Sequence, residues 1–275
     1  LQTIPIIVSL MMAWLFTWLI TYTGLTLPAP IITPLAEPPS DVSAEEALSS
    51  PSPYLNALLV VGAMFVGGVL IVSLLRYRRF IRFLGLALVG LVGFASTGFY
   101  FPMLVAFVSV HLVSLWPVVS LSVTALIILV LRAGKQLPAM IASTYVAASA
   151  GSLAGVSFPF WTTIVLVFAV SAFDTYAVFK GHLRRLAGHE ETSLPGLTVE
   201  FHGLTVGLGD LLFYSILVAF TISHWGAVSG LFASIGIFAG FVTTLVLVEM
   251  VGMAPGLPVS LLTALALAYA VTLLF

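Results

Sequence analysis

The sequence predicts an all-α polytopic membrane protein of nine transmembrane helices, with a cytoplasmic N-terminus and an extracytoplasmic C-terminus. Composition is the first reason: of 275 residues, 61% are hydrophobic and 7% charged, where soluble domains carry roughly 25% charged residues. The apolar runs are the second, because crossing the hydrocarbon core takes about 20 residues of helix but only about 10 of barrel strand. The third is the placement of the nine basic residues, which sort to one face of the membrane only if the number of spans is right.

In chain order the spans cover roughly residues 4–27, 54–75, 81–109, 112–131, 138–156, 160–180, 204–223, 226–250 and 257–275, all in one membrane domain. The first run is longer than a signal-peptide core of about 7–15 residues and has no basic segment ahead of it, so it reads as a span. The third is overlong, and "FASTGFYFP" suggests a kink near Pro102. Arg76, Arg78, Arg79 and Arg82 lie between spans two and three, and Arg132 and Lys135 between four and five. Lys180, Arg184 and Arg185 lie at the end of span six and in the loop after it. With nine spans these three connections share a face, which the positive-inside rule makes cytoplasmic. The first loop carries Glu37, Asp41, Glu45 and Glu46 without a base and falls on the opposite face. Its Pro, Ser and Ala content predicts irregular chain. The expected setting is the lipid bilayer of the cell membrane.

Several chemistries are excluded. With no cysteine there are no disulfides, cysteine metal sites or thiol nucleophiles. No basic tail or patch suggests nucleic acid.

Two carboxylates fall well inside spans: Asp174 in "VSAFDTYAVFK" and Asp210 in "GLTVGLGDLLFYSILVAF". Asp174 comes six residues before Lys180, and Asp210 six residues after the expected start of span seven at Leu204. On antiparallel neighbours rising 1.5 Å per residue, both sit roughly 9 Å below the cytoplasmic boundary. Carboxylates at such depth are costly and mark function by default. Two held close cannot both ionise, so the pair retains one proton. One ionised and one protonated carboxyl suit aspartic-protease chemistry, in which the first takes a proton from water and the second donates to the peptide carbonyl. Gly207 and Gly209 flank Leu208 just ahead of Asp210 and allow close backbone approach. Tyr214 lies one helical turn beyond, on the same face. Pro255 and Pro258 make "MAPGLP" an irregular stretch before span nine, suited to guiding an extended substrate by strand pairing.

Three segments carry a family resemblance: "FDTYAVF" at 173–179, "GLGD" at 207–210 with its continuation "LLFYS", and "PGLP" at 255–258. They resemble the motifs of the GxGD intramembrane aspartyl proteases of the presenilin and signal peptide peptidase group, on the expected spans and in the expected order. The resemblance is architectural along the whole chain and residue-specific in these segments alone. It implies Asp174 and Asp210 as the catalytic pair, next to the motif residues Gly207, Leu208 and Gly209. It implies that Pro255, Gly256, Leu257 and Pro258 shape the site and position substrate. Substrates would be transmembrane helical proteins, cut without a metal or organic cofactor. Two positions depart from the family: Phe173 stands where Tyr is usual, and Gly256 where the proline motif has Ala. The arginine-derived orientation agrees with the presenilin branch, and the short loops with a microbial, archaeal homologue. The connection between spans six and seven, 23 residues at 181–203, is shorter than the one presenilins cut during maturation, so self-cleavage is not assumed. A homo-oligomer is left open.

Other residues carry less. Glu249 reads as a headgroup-level acid, and His111 and His224 as structural. His182, His189 and His202 stand near Glu190, Glu191 and Glu200, but no H-E-x-x-H occurs. "GVSF" at 155–158 lacks the second glycine of a serine-protease motif. The rival reading is a proton- or cation-coupled transporter or leak channel using Asp174 and Asp210 as an ion site; the repeated halves usual in transporters are not found.

Overall fold

The computed structural model describes residues 2–24, 33–74, 77–106, 108–180, 198–201 and 204–274. In chain order the helices are α1 (Ile4–Thr23), α2 (Ala44–Ser49), α3 (Ser52–Leu74), α4 (Arg78–Ala106), α5 (Trp116–Ala133), α6 (Gln136–Ser157), α7 (Phe160–Lys180), α8 (Leu208–Val251) and α9 (Leu257–Thr272). A 3-10 turn at Val110–Leu115 leads into α5, and strands β1 (Thr198–Phe201) and β2 (Leu204–Gly207) precede α8. Among the described residues seven helices are long and apolar enough to span a bilayer, and α9 is a shorter apolar helix. The protein is a multi-pass membrane protein, so its many exposed Leu, Val and Phe side chains are what lipid favours rather than a liability.

The structure departs from the sequence reading at two places. The first loop is not wholly irregular: the Ser43 side chain accepts a hydrogen bond from the Glu46 N–H at 3.3 Å and caps the start of α2. Span seven begins at Leu208, not Leu204, because Leu204–Gly207 pairs antiparallel with Thr198–Phe201. The β-branched Thr198, Val199, Thr205 and Val206 favour the strand, and a short apolar run does not separate strand from helix by hydropathy. α8 is two helices that meet at a kink, where Gly226 has φ 85° and ψ 173°, between the stretches expected as spans seven and eight. That conformation is open essentially to glycine alone. Pro102 lies inside α4, and the helix continues through it.

The chain forms two compact units. The first comprises Leu1–Thr26, Leu74–Leu153 and Ser193–Ser215. Its core gathers Leu86 and Val89 from α4, Ile127 and Leu131 from α5, and Val146 from α6, with Leu208 packed against them. Polar side chains lock the same helices: Thr97 and Tyr145 share a hydrogen bond of 2.7 Å, the Tyr100 hydroxyl donates to the Ser149 carbonyl at 2.9 Å, and the Ser152 hydroxyl donates to the Ala13 carbonyl at 3.2 Å. The Phe16 ring packs tilted against Tyr100 and edge-on to Tyr145. With no hydrophobic drive between helices in lipid, such contacts supply specificity.

The second unit comprises Leu27–Ser73, Ala154–Thr192 and Ile216–Phe275. A tight seam joins α8 to α9. A Cβ on Gly236 would lie 2.5 Å from the Ala264 Cα, and one on Gly240 2.4 Å from the Ser260 Cα. Two small-x-x-x-small pairs, Gly236/Gly240 and Ser260/Ala264, thus let the backbones touch. The Thr263 hydroxyl donates to the Gly236 carbonyl at 2.9 Å across the same seam. At the end of α6, a Cβ on Gly155 would fall 2.3 Å from the Ile216 carbonyl oxygen.

Candidate active site

Asp174 stands six residues before the end of α7, half-buried. Its Oδ2 accepts a hydrogen bond from the Leu257 N–H at 3.0 Å, and the backbone of Gly256 also bonds it. The first turn of any helix leaves N–H groups without internal partners. At α9 the N-cap is Gly256, which has no side chain to satisfy them, and Leu257 is the first helical residue. Pro258 follows with no N–H at all. Asp174 therefore takes the place of a capping side chain, and the positive end of the α9 dipole lowers the cost of a carboxylate there. The α8–α9 seam fixes where that amide group points. Phe173 turns its ring edge-on to Phe65 of α3, centroids 6.4 Å apart. A cavity of about 540 Å³ runs between α7 and α9 beside this turn, its lining including Ser171, Thr175, Tyr176 and Pro258.

Asp210 belongs to the other unit. The β1–β2 ladder pairs Thr198 with Gly207 and Phe201 with Leu204, burying Phe201 and Val206. Gly207 ends the ladder and Leu208 opens α8, so Asp210 is the third residue of a helix that starts where a strand stops. Its carboxylate lies back over Gly207: the Oδ2 is 3.4 Å from where a Cβ on that glycine would be. A Cβ on Gly209 would meet nothing within 4 Å among the described residues. Tyr214 is 1% exposed, and the neighbouring Ser215 hydroxyl donates to the Leu211 carbonyl at 2.8 Å and lies 3.3 Å from the hydroxyl of Ser9.

Of the residues singled out in the sequence, Phe173, Asp174, Pro255, Gly256, Leu257 and Pro258 come together in one unit. Gly207, Leu208, Gly209, Asp210 and Tyr214 come together in the other. Arg76, His182, Arg184, Arg185, His189, Glu190, Glu191 and His202 lie outside the described residues, as does the chain that self-cleavage would concern. The hairpin ahead of Asp210 is the feature missed in the sequence. Its signal is two short β-branched runs separated by two residues, the second a glycine.

No protein-family model matches the chain, and no curated protein matches it in sequence. Solved structures do. A presenilin family intramembrane aspartate protease in a C222 crystal form superposes with a TM-score of 0.68 and 19% identity, over 100% of this chain and 98% of that one. One in a P2 form gives 0.65 and 21%, over 99% and 96%. The chain shares the fold of presenilin-family intramembrane aspartate proteases from end to end.

Proposed function

We propose that this protein is an intramembrane aspartyl endopeptidase, with Asp174 and Asp210 as its catalytic pair and transmembrane helical proteins as its substrates. The observation that carries this reading is the Asp174 carboxylate held by the first amides of α9, in a chain whose whole fold is that of an intramembrane aspartate protease. In the mechanism the ionised carboxylate removes a proton from water, which attacks the scissile carbonyl carbon. The protonated carboxyl donates to the carbonyl oxygen. The gem-diol then collapses as a proton passes to the departing amine. The Leu257 and Gly256 amides hold Asp174 in one orientation through this cycle, and Pro255 and Pro258 keep the adjoining backbone irregular, suited to an extended substrate.

Nine spans with a cytoplasmic N-terminus belong to the same reading. Dividing α8 at Gly226 and counting α9 supports the number, and the arginine-bearing connections support the orientation. The test is cleavage of a single-span substrate by the purified protein in detergent, with and without a transition-state mimic that carries a hydroxyl in place of the scissile amide. Cleavage blocked by the mimic supports the protease. No cleavage, together with cation flux in vesicles, overturns it in favour of the ion site.

The Leu257 amide has its own expected result. Leu257→Pro deletes the N–H that reaches Asp174 and turns Gly256, whose αR backbone a following proline disfavours, so that the second amide shifts as well. A hydrogen bond to a charged group carries about 1.5–3 kcal/mol, so kcat falls roughly tenfold to hundredfold with KM little changed. Leu257→Ala keeps the amide but empties a buried position, so the part of the fall that Leu257→Pro shows beyond it reports the lost N–H.

A further inference from the structure

We propose that Glu37, in the first loop, is a positioning residue for the reaction: its carboxylate clasps the heads of α7 and α3 together and so governs how a helical substrate reaches Asp174. The proposal rests on the protease reading. Glu37 Oε2 accepts hydrogen bonds from the backbone N–H groups of Trp161 at 3.0 Å and Thr162 at 3.1 Å. Its Oε1 accepts from the Thr162 hydroxyl and, at 3.4 Å, from the side-chain amide of Asn56. Trp161 and Thr162 are the second and third residues of α7, whose N–H groups have no partner inside the helix. Pro159, just ahead, has no polar side chain to cap them. The cap for the helix that carries Asp174 therefore comes from a loop more than a hundred residues away in sequence.

The other half of the clasp is α3. Asn56, at its head, is fully buried and also holds the first loop at both its arms: it accepts from the Leu35 N–H at 3.1 Å and donates to the Leu35 carbonyl at 3.0 Å. The Trp161 ring N–H adds a bond to the Pro39 carbonyl at 3.2 Å. Below this head α3 is weakly held. Its buried residues are Ser52, Pro53, Asn56, Ala57 and Val60, and none of residues 61–70 is buried. Yet Phe65 in that loose half is the residue that meets Phe173, next to Asp174. Among the described residues the buried positions of α3 are confined to its head, and Glu37 joins that head to α7. Removing the clasp frees the flank of Asp174, about 18–20 Å along α7 from Trp161 and Thr162.

The chain has no cysteine, so spin labels on Val69→Cys and Tyr176→Cys, both exposed, report the separation of the lower halves of α3 and α7. Glu37→Ala is expected to broaden that distance distribution. It is expected to lower kcat/KM on a single-span substrate by about tenfold, the factor that accompanies loss of a helix cap. A short extended peptide around the same scissile bond, which need not pass α3 as a helix, should be cut within about twofold of wild type. Glu37→Gln, with one acceptor oxygen left, falls between, and carries the comparison if the alanine variant does not fold. An unchanged distance distribution overturns the proposal, and so does an equal fall on both substrates, which is what a merely structural loss gives. If the wild type cuts neither substrate, the protease reading fails, and the distances alone decide the clasp.

Discussion

Asp174→Asn and Asp210→Asn each lower cleavage of a single-span substrate by at least about 10⁴-fold, the scale on which acid–base pairs that act as a unit fail. The fold should survive both changes. Asn at 174 still offers a carbonyl oxygen to the Leu257 amide, so the α7–α9 contact keeps its bond, and Asn is tolerated in the first turn of a helix such as α8. What each variant loses is the ability to exchange a proton, which both halves of the cycle require. The double variant therefore falls no further than either single one, because the two carboxyls contribute to one step and their losses do not add. Turnover with a thermal-unfolding control checks this. Substantial activity in either single variant ends the two-carboxylate mechanism.

Gly240→Ala costs about 2–3 kcal/mol of stability, at the upper end of what overpacking brings, and Gly240→Leu leaves no folded protein. The reason is what the added atoms meet. A Cβ at 240 lies 2.4 Å from the Ser260 Cα, 2.7 Å from its nitrogen and 2.8 Å from the Thr263 hydroxyl. Backbone atoms cannot rotate out of the way as a side chain does, so the helices must part. Parting them breaks the Thr263–Gly236 bond and carries the head of α9, with the amides of Gly256 and Leu257, away from Asp174. Activity should therefore fall in the Ala variant even below its unfolding temperature. Gly62→Ala is the control: its Cβ meets nothing within 4 Å among the described residues, and in a helix the change is neutral or stabilising by up to about 1 kcal/mol. Thermal unfolding in detergent, followed by circular dichroism, separates the two.

Much of the architecture was legible in the sequence for one physical reason: a chain in lipid must satisfy its backbone within each segment, so length and hydropathy locate helices well. The same rule failed at Leu204–Gly207, where the backbone finds its partners in a hairpin. The carboxylates stood out as polar groups at depth. What they touch did not, because the partners are distant in the chain: Leu257 is 83 residues beyond Asp174. Glu37 looked like one acid among four in a solvated loop, and nothing local distinguishes it from Asp41, Glu45 or Glu46. Its role appears only when the head of α7, 124 residues on, is brought to it. The small residues at Gly236 and Gly240 are a similar case, since a membrane helix contains many glycines and only the facing helix tells which are in close contact.

The apolar span of α3, Ser52–Leu70, has 19 residues, about 28 Å of helix for a hydrocarbon layer of about 30 Å. A helix too long for its bilayer leans, and a helix packed along its length has its lean set by its neighbours. Among the described residues the buried positions of α3 lie between Ser52 and Val60, so lipid has the larger share in setting the angle of the rest. A bilayer thinner than that span is expected to tip it and draw Phe65 off Phe173. Acyl-chain length is thereby a mechanical input to the surroundings of Asp174, and the same polypeptide would work at different rates in membranes that differ in nothing but their depth.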